Sequence, residues 1–289
     1  MKNYRERYFM NKNNLKKIAY ELNNELSGNT KALIFVVFNK YLKIHKIYDK
    51  EKWLRNFLGF EKQISNKTEQ ILDKNIREFE NIDAISWLYQ YFIAEEKSRV
   101  FNNLMKGIKV EKKDIPYATQ LFTPDWIVRF LVDNSLGKLI ETKKLEEIKF
   151  IDPCQGTGNI LIYAFDVFYQ AYIRAGYSRK SAILNILTKN LYGIDIDENA
   201  SIITQLVLLL KAECFDNNVI NKMNIICIKS SREINLGQKG KNLLIRIFED
   251  ADEYGSLIKV NDEVKKYDLL NRNEKIDKDE ANNRRFCLQ

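Results

Sequence analysis

Histidine and proline are nearly missing from this chain. His45 is the one histidine in 289 residues, which excludes a multi-histidine zinc site and argues against Ser-His-Asp chemistry. The prolines are Pro116, Pro124 and Pro153, so no two are adjacent and none follows residue 153. Cys154, Cys214, Cys227 and Cys287 form no CxxC pair and are too few for a disulfide framework. They read as free thiols in a reducing cytoplasm. No apolar run approaches the roughly 18 residues of a membrane span. The opening MKNYRERYFMNKNNLKK has no apolar stretch ending in a small-residue cleavage site. The expectation is a cytoplasmic protein with no metal site and no membrane partner.

What is present is charge, unevenly placed. The net charge is +8. Residues 1–50 carry 11 Lys/Arg against 4 Asp/Glu, or +7, and the remainder carries 36 against 35, or +1. A basic surplus gathered in one segment suits a surface that meets nucleic-acid phosphate. A solvated lysine-rich helix face is the plainer alternative. The aromatics among these charges, Tyr4, Tyr8, Phe9, Trp53, Phe57 and Phe60, could stack on bases, although core positions account for such residues more often.

Residues 1–112 read as helical, with no proline and only Gly28, Gly59 and Gly107 to interrupt them. Apolar residues recur at helical spacing through Leu33, Phe35, Val36, Val37, Tyr41 and Ile44. They recur again through Ile85, Leu88, Tyr89, Phe92 and Ile93, and Glu95–Arg99 continues that second pattern with polar residues. The polar stretch 106–115 marks a boundary. After it, Thr123 suits a helix N-cap, Pro124 the first helical position and Asp125 the positive end of the dipole, for a helix ending near Gly137. Strands are expected at 148–152, 191–195 and 224–228, with helices at 159–175 and 198–215 between them. Strand-helix alternation argues for an α/β fold with a parallel sheet. Residues 242–254 look helical, and 261–289 form a charged tail with no core face.

A candidate site follows the first strand. Asp152-Pro153-Cys154-Gln155-Gly156-Thr157-Gly158 leaves a strand and opens a helix. Its glycines let the backbone approach a ligand, and the helix aims its N–H groups at the same spot. Asp195, at the end of the second strand, stands where nucleoside-binding sheets hold ribose hydroxyls. Asp197 suits the cap of the next helix, but Asp195 lies too early for that task. The interval from Gly158 to Asp195 exceeds the ~20 residues of a dinucleotide fold, which weakens an NAD-dependent oxidoreductase reading.

These residues carry a family resemblance. Asp152–Gly158 resembles the motif I loop of adenine-N6 DNA methyltransferases, Phe122-Thr123-Pro124 resembles their motif X, and Gly193-Ile194-Asp195-Ile196-Asp197 resembles motif II. The longer strings 118–129 and 152–166 are similar to the BREX-type PglX and type IIG restriction-modification methyltransferases, as is Trp87–Phe92. The resemblance covers roughly residues 80–260.

It implies S-adenosylmethionine as cofactor and DNA as substrate. Phe122, Thr123 and Pro124 would meet the methionyl end. Asp152 would face the amino group in a loop shaped by Pro153, Cys154 and Thr157, with Gly156 and Gly158 passing beneath. Asp195 would hold the ribose and Ile196 would lie beside adenine. Ser230 or a backbone carbonyl would stand where the family carries an adenine-reading Asp. The implied organisation is a helical region (1–112), an incomplete Rossmann-like cofactor-binding sheet (113–260) and a tail (261–289).

The family activates the adenine amine with an (Asn/Asp/Ser)-Pro-Pro-(Tyr/Phe) motif after a fourth strand, on a flipped base. This chain has no Pro-Pro. The expectation is therefore a chain truncated before its catalytic motif, with no catalytic residue of its own and its first strand left as an exposed edge. A missing C-terminal half or other defence-system subunits would be its partners. The alternative is a non-catalytic module that binds cofactor, DNA or partners.

Overall fold

The computed structural model describes residues 12–47, 50–80, 82–111, 114–120 and 123–228. The expectations for Phe122, for Ser230, for the helix at 242–254 and for the tail lie outside these residues. So do Lys2, Arg5 and Arg7. The described residues up to Ile225 belong to one compact unit, and a second begins at Ile226.

The first half is helical, as its periodicity requires. It holds α1 (Lys12–Leu26), α2 (Thr30–Ile44), α3 (Glu51–Leu58), α4 (Asn66–Lys74), α5 (Asp83–Phe92), α6 (Ala94–Met105) and α7 (Ile115–Thr119). Asn29 caps α2 by accepting from Ala32 N at 3.0 Å, and Ser65 caps α4 through Thr68 N at 3.1 Å. Helix α2 is buried from Ala32 to Lys40 on every side, so it runs through the core of this layer rather than along its surface. Phe60 stacks on Phe35 at 5.0 Å between ring centres, and the Arg55 guanidinium covers the same Phe35 ring at 4.2 Å. Trp53 stacks on Phe57 at 5.1 Å. These aromatics pack on neighbours within the chain.

Two sequence expectations need correction here. The apolar pattern of α5 does not run on through Glu95–Arg99. Ile93 (φ −88°, ψ 1°) ends α5 and starts a separate α6. Thr123 does not cap the next helix. Pro124 holds the cap position of α8 (Asp125–Asn134) with ψ 147° and no side-chain cap bond. A cap residue has extended backbone, and Pro124 has that geometry itself, so the helix starts one residue later, at Asp125. Ser135 ends α8, and the short α9 (Leu136–Leu139) carries the chain past Gly137.

The sheet follows. Strand β1 (Phe150–Asp152) leads through α10 (Asn159–Arg174) and α11 (Arg179–Asn185) to β2 (Leu191–Asp195). From there α12 (Glu198–Ala212) and α13 (Asn217–Ile220) lead to β3 (Asn224–Cys227). The order is β1-β2-β3. Strands β1 and β2 are parallel, with Phe150 opposite Leu191, Ile151 opposite Tyr192 and Asp152 opposite Gly193. Among the described residues β1 is an edge, and Ile151 is 57% exposed.

Asn190 fixes that register from below. It is fully buried, donates to Leu145 O and Ile148 O at 2.7 Å each and accepts from the Tyr172 hydroxyl at 3.0 Å. The entrance to β2 is thereby tied to the segment that feeds β1. Burial pushes the Tyr172 hydroxyl up to about 12, so it donates at any ordinary pH. Helix α12 is buried from Ala200 to Leu210 and touches α2 on one side and β2 and α10 on others. No helix of the described residues is long and apolar enough to cross a membrane.

Candidate functional site

The loop between β1 and α10 is held from three directions. Gln155 N donates to Ile194 O at 3.0 Å, which ties the loop to β2, and Gly158 N donates to Gln155 O at 2.8 Å to close the turn. The Thr204 hydroxyl of α12 lies 3.0 Å from Gly156 O. Both glycines take left-handed backbone, with φ 53° at Gly156 and 82° at Gly158. They are required for different reasons. A Cβ at Gly158 would sit 2.6 Å from Thr204 Cγ2, whereas one at Gly156 would meet nothing within 4 Å. Gly158 makes room for α12, and Gly156 leaves room outside the protein's own packing.

Strand β2 brings the acidic residues to this loop. Asp195 accepts from Gly156 N at 2.7 Å with one carboxylate oxygen and from Asp197 N at 2.8 Å with the other. It therefore bridges the glycine loop and the turn into α12 and does not cap that helix. The capping falls to Asp197, which accepts from Asn199 N at 2.9 Å. Asp152 accepts from Cys154 N at 3.2 Å. Burial raises its carboxyl above the usual range, and the charge on Asp195 adds to the rise. Burial likewise raises Asp197, opposed by the hydrogen bond from the Tyr89 hydroxyl.

Among the expected site residues, Asp152, Gly156, Gly158 and Asp195 converge on this loop. Cys154 is exposed as a free thiol, and Ile196 is 47% exposed beside Asp195. The Thr157 hydroxyl is buried with no hydrogen-bond partner among the described residues.

Other residues of the site went unassigned in the sequence. A Cβ at Gly193 would lie 1.9 Å from Gln155 Oε1, so Gly193 exists to admit the Gln155 side chain under the loop. Gln155 in turn donates to Ser201 at 3.3 Å. Tyr89 from α5 donates to Asp197 Oδ2 at 2.5 Å, and Gln120, after α7, donates to the same oxygen at 3.1 Å. A glycine inside a strand is a signal of close approach, and that could have flagged Gly193. Tyr89 lies within the family-like string Trp87–Phe92, but nothing local gives its role, since its acceptor is 108 residues away.

The arrangement favours one ligand chemistry. Two carboxylates, Asp152 and Asp195, face the loop, and Asp195 already occupies the Gly156 N–H. A pyrophosphate would meet repulsion here, whereas hydroxyl donors and a cationic group would be attracted. A separate concavity of about 900 Å³ lies among the segment before β1 and the end of α10, lined by Leu145, Glu146, Arg174 and Tyr177. Its lysines and arginine are interleaved with Glu141, Glu146 and Glu147, which leaves it no net electrostatic preference, so the loop is the better site. Among the described residues no cluster of His, Cys, Asp or Glu could hold a metal ion.

Residues 132–240 match the family "MmeI, DNA-methyltransferase domain". The chain is 37% identical over 179 residues to the adenine-specific methyltransferase PglX of Lacticaseibacillus casei (strain Zhang), a match covering 48% of this chain and 15% of that relative. It is 31% identical over 193 residues to the adenine-specific methyltransferase BrxX of Escherichia coli O9:H4 (strain HS), covering 54% of this chain and 16% of the relative. The matched stretch is thus less than a fifth of either relative's length. The chain is similar to a part of the PglX-type adenine-specific methyltransferases, as its motifs led one to expect.

Proposed function

We propose that this chain supplies the S-adenosylmethionine-binding part of an adenine-N6-specific DNA methyltransferase serving a phage-defence (BREX) or restriction-modification system. The observation that carries the proposal is the Asp195 carboxylate, which bridges Gly156 N and Asp197 N beside the buried Asp152. In this reading the sheet is an incomplete Rossmann-like sheet. Asp195 orients a ribose through its free lone pairs, and Asp152 attracts the ligand's ammonium group. Thr157 shapes the loop, Thr123 and Pro124 flank the methionyl end, and Ile196 lies against the adenine.

The bound cofactor would supply an electrophilic methyl group. This chain's residues hold and orient it. No Pro-Pro step is available to accept hydrogen bonds from an adenine amine, so activation of the base falls to another polypeptide segment. The edge of β1, with Ile151 exposed, is where such a segment would continue the sheet.

Calorimetric titration with S-adenosylmethionine and with NAD tests the reading. Binding of the first and not the second, lost in Asp195→Ala, supports it. Equal or absent binding of both overturns it.

A module that binds cofactor, DNA or partners without chemistry is the second reading. DNA is the proposed partner of either, though through fewer lysines than the sequence suggested. Lys40 is 6% exposed and is paired with Asp73, and Lys43 is paired with Glu69 at 3.2 Å. Lys16, Lys31 and Lys46 remain exposed.

A further inference from the structure

We infer that Tyr89 is a positioning residue for the glycine-loop site. Through Asp197 it sets the Asp195 carboxylate, so the helical layer before the sheet controls how well the site holds its ligand. The inference rests on the proposed cofactor site for its functional consequence but not for its geometry.

The geometry is a continuous chain of hydrogen bonds. The Tyr89 hydroxyl of α5 donates to Asp197 Oδ2 at 2.5 Å. Gln120 Nε2 donates to the same oxygen at 3.1 Å, and Gln120 O accepts from the Lys97 ammonium of α6 at 2.5 Å. Asp197 Oδ1 caps α12 through Asn199 N at 2.9 Å. The backbone N–H of Asp197 donates to Asp195 Oδ1 at 2.8 Å, and Asp195 Oδ2 accepts from Gly156 N at 2.7 Å. Three elements distant in sequence, α5, the end of β2 and the glycine loop, are thus joined by polar contacts of defined direction.

Burial makes the chain stiff. Tyr89 is 2% exposed and Asp197 7%, so water cannot take over a lost hydrogen bond at little cost. A carboxylate that caps a helix with one oxygen and accepts from a buried phenol with the other has little freedom to rotate. Its backbone N–H is then fixed, and with it the oxygen of Asp195 that it holds. Ser86 supplies an internal control. It lies on the same helix, is 4% exposed, and its hydroxyl has no hydrogen-bond partner.

The test uses the full chain in three forms, wild type, Tyr89→Phe and Ser86→Ala. Without ligand, the amide resonance and hydrogen exchange of Gly156 report on its bond to Asp195, with Gly59 and Gly176 as distant references. The expected result is that Tyr89→Phe moves the Gly156 resonance and speeds its exchange, leaves Gly59 and Gly176 in place, and weakens S-adenosylmethionine binding about tenfold, as for one charged hydrogen bond. Ser86→Ala should change none of these. A Gly156 amide that is unmoved in Tyr89→Phe overturns the inference, whatever happens to binding. Equal effects of Tyr89→Phe and Ser86→Ala also overturn it, because they signify general loosening of α5. If the Gly156 amide responds as expected but wild type binds no S-adenosylmethionine, the relay stands and the cofactor reading fails.

Discussion

Replacing Gly158 by alanine should damage the fold more than the same change at Gly156. Gly158 has φ 82°, and its Cβ would fall 2.6 Å from Thr204 Cγ2, 2.8 Å from Thr204 Oγ1 and 3.1 Å from Thr204 Cβ. A left-handed alanine costs about 1–2 kcal/mol, and overpacking a dense core a further ~1–3 kcal/mol. Together these give about 2–5 kcal/mol, a large share of the ~5–15 kcal/mol that holds a typical domain. Thr204 cannot move aside freely, since its hydroxyl lies 3.0 Å from both Gly156 O and Ala200 O.

The steric part can be isolated with Thr204→Ala, which removes the two closest atoms. In a double-mutant cycle by urea unfolding, Gly158→Ala/Thr204→Ala should be about 1–3 kcal/mol less destabilised than the sum of the single changes. At Gly156 the added methyl meets open space, so only the backbone term of about 1–2 kcal/mol remains. Strict additivity of the pair, or equal losses at Gly156 and Gly158, would refute the account of how α12 shapes the loop.

Further outcomes follow from the same site. A valine at Gly156 should abolish S-adenosylmethionine binding while leaving a cooperative unfolding transition, which calorimetry and circular dichroism together would reveal. Asp152→Asn should keep the Cys154 N–H bond but remove the buried charge. Because burial raises the Asp152 pKa, native protein holds a proton the unfolded chain has lost, and stability falls as pH rises from the ordinary carboxylate value through the raised one. The Asn variant should lack that fall and be the more stable near neutral pH, yet bind S-adenosylmethionine about 10- to 100-fold more weakly. Thermal melts across pH 4–7 check the first half, and no difference in pH dependence would contradict it. Tritiated S-adenosylmethionine with genomic DNA should give no methyl incorporation by this chain alone, and incorporation lost in Asp152→Ala would defeat that claim. Any DNA binding should weaken with salt at a log-log slope of about −0.9 per phosphate contact, and a salt-independent affinity would remove Lys16, Lys31 and Lys46 from consideration.

The glycine loop and the strand after it were legible because their chemistry is local. Gly156 and Gly158 sit six residues or fewer from the strand that aims them, and β2 spans the expected residues, Leu191–Asp195. The separation of α5 from α6 was not legible. The periodicity barely changes at Ile93, and the break is a matter of one residue's ψ. The cap of α8 was misplaced by one residue because Thr123 and Pro124 both have good credentials, and the extended ψ of Pro124 itself, 147°, decided between them. Tyr89, Gln120 and Thr204 were invisible as site residues because their partners are 48 to 108 positions away. A hydroxyl in an apolar helix pattern carries no mark of the carboxylate it will meet.

The burial of α12 on every side has a consequence for how the chain comes apart. This helix is a shared keel, with α2 against one flank and β2 and α10 against others. Neither layer can release it without exposing a column of leucine, isoleucine and valine to water. The helical layer and the sheet should therefore melt together, not as a helical step followed by a sheet step. A protease that cut the polar stretch at 106–115 would leave two fragments that co-elute, each completing the other's core.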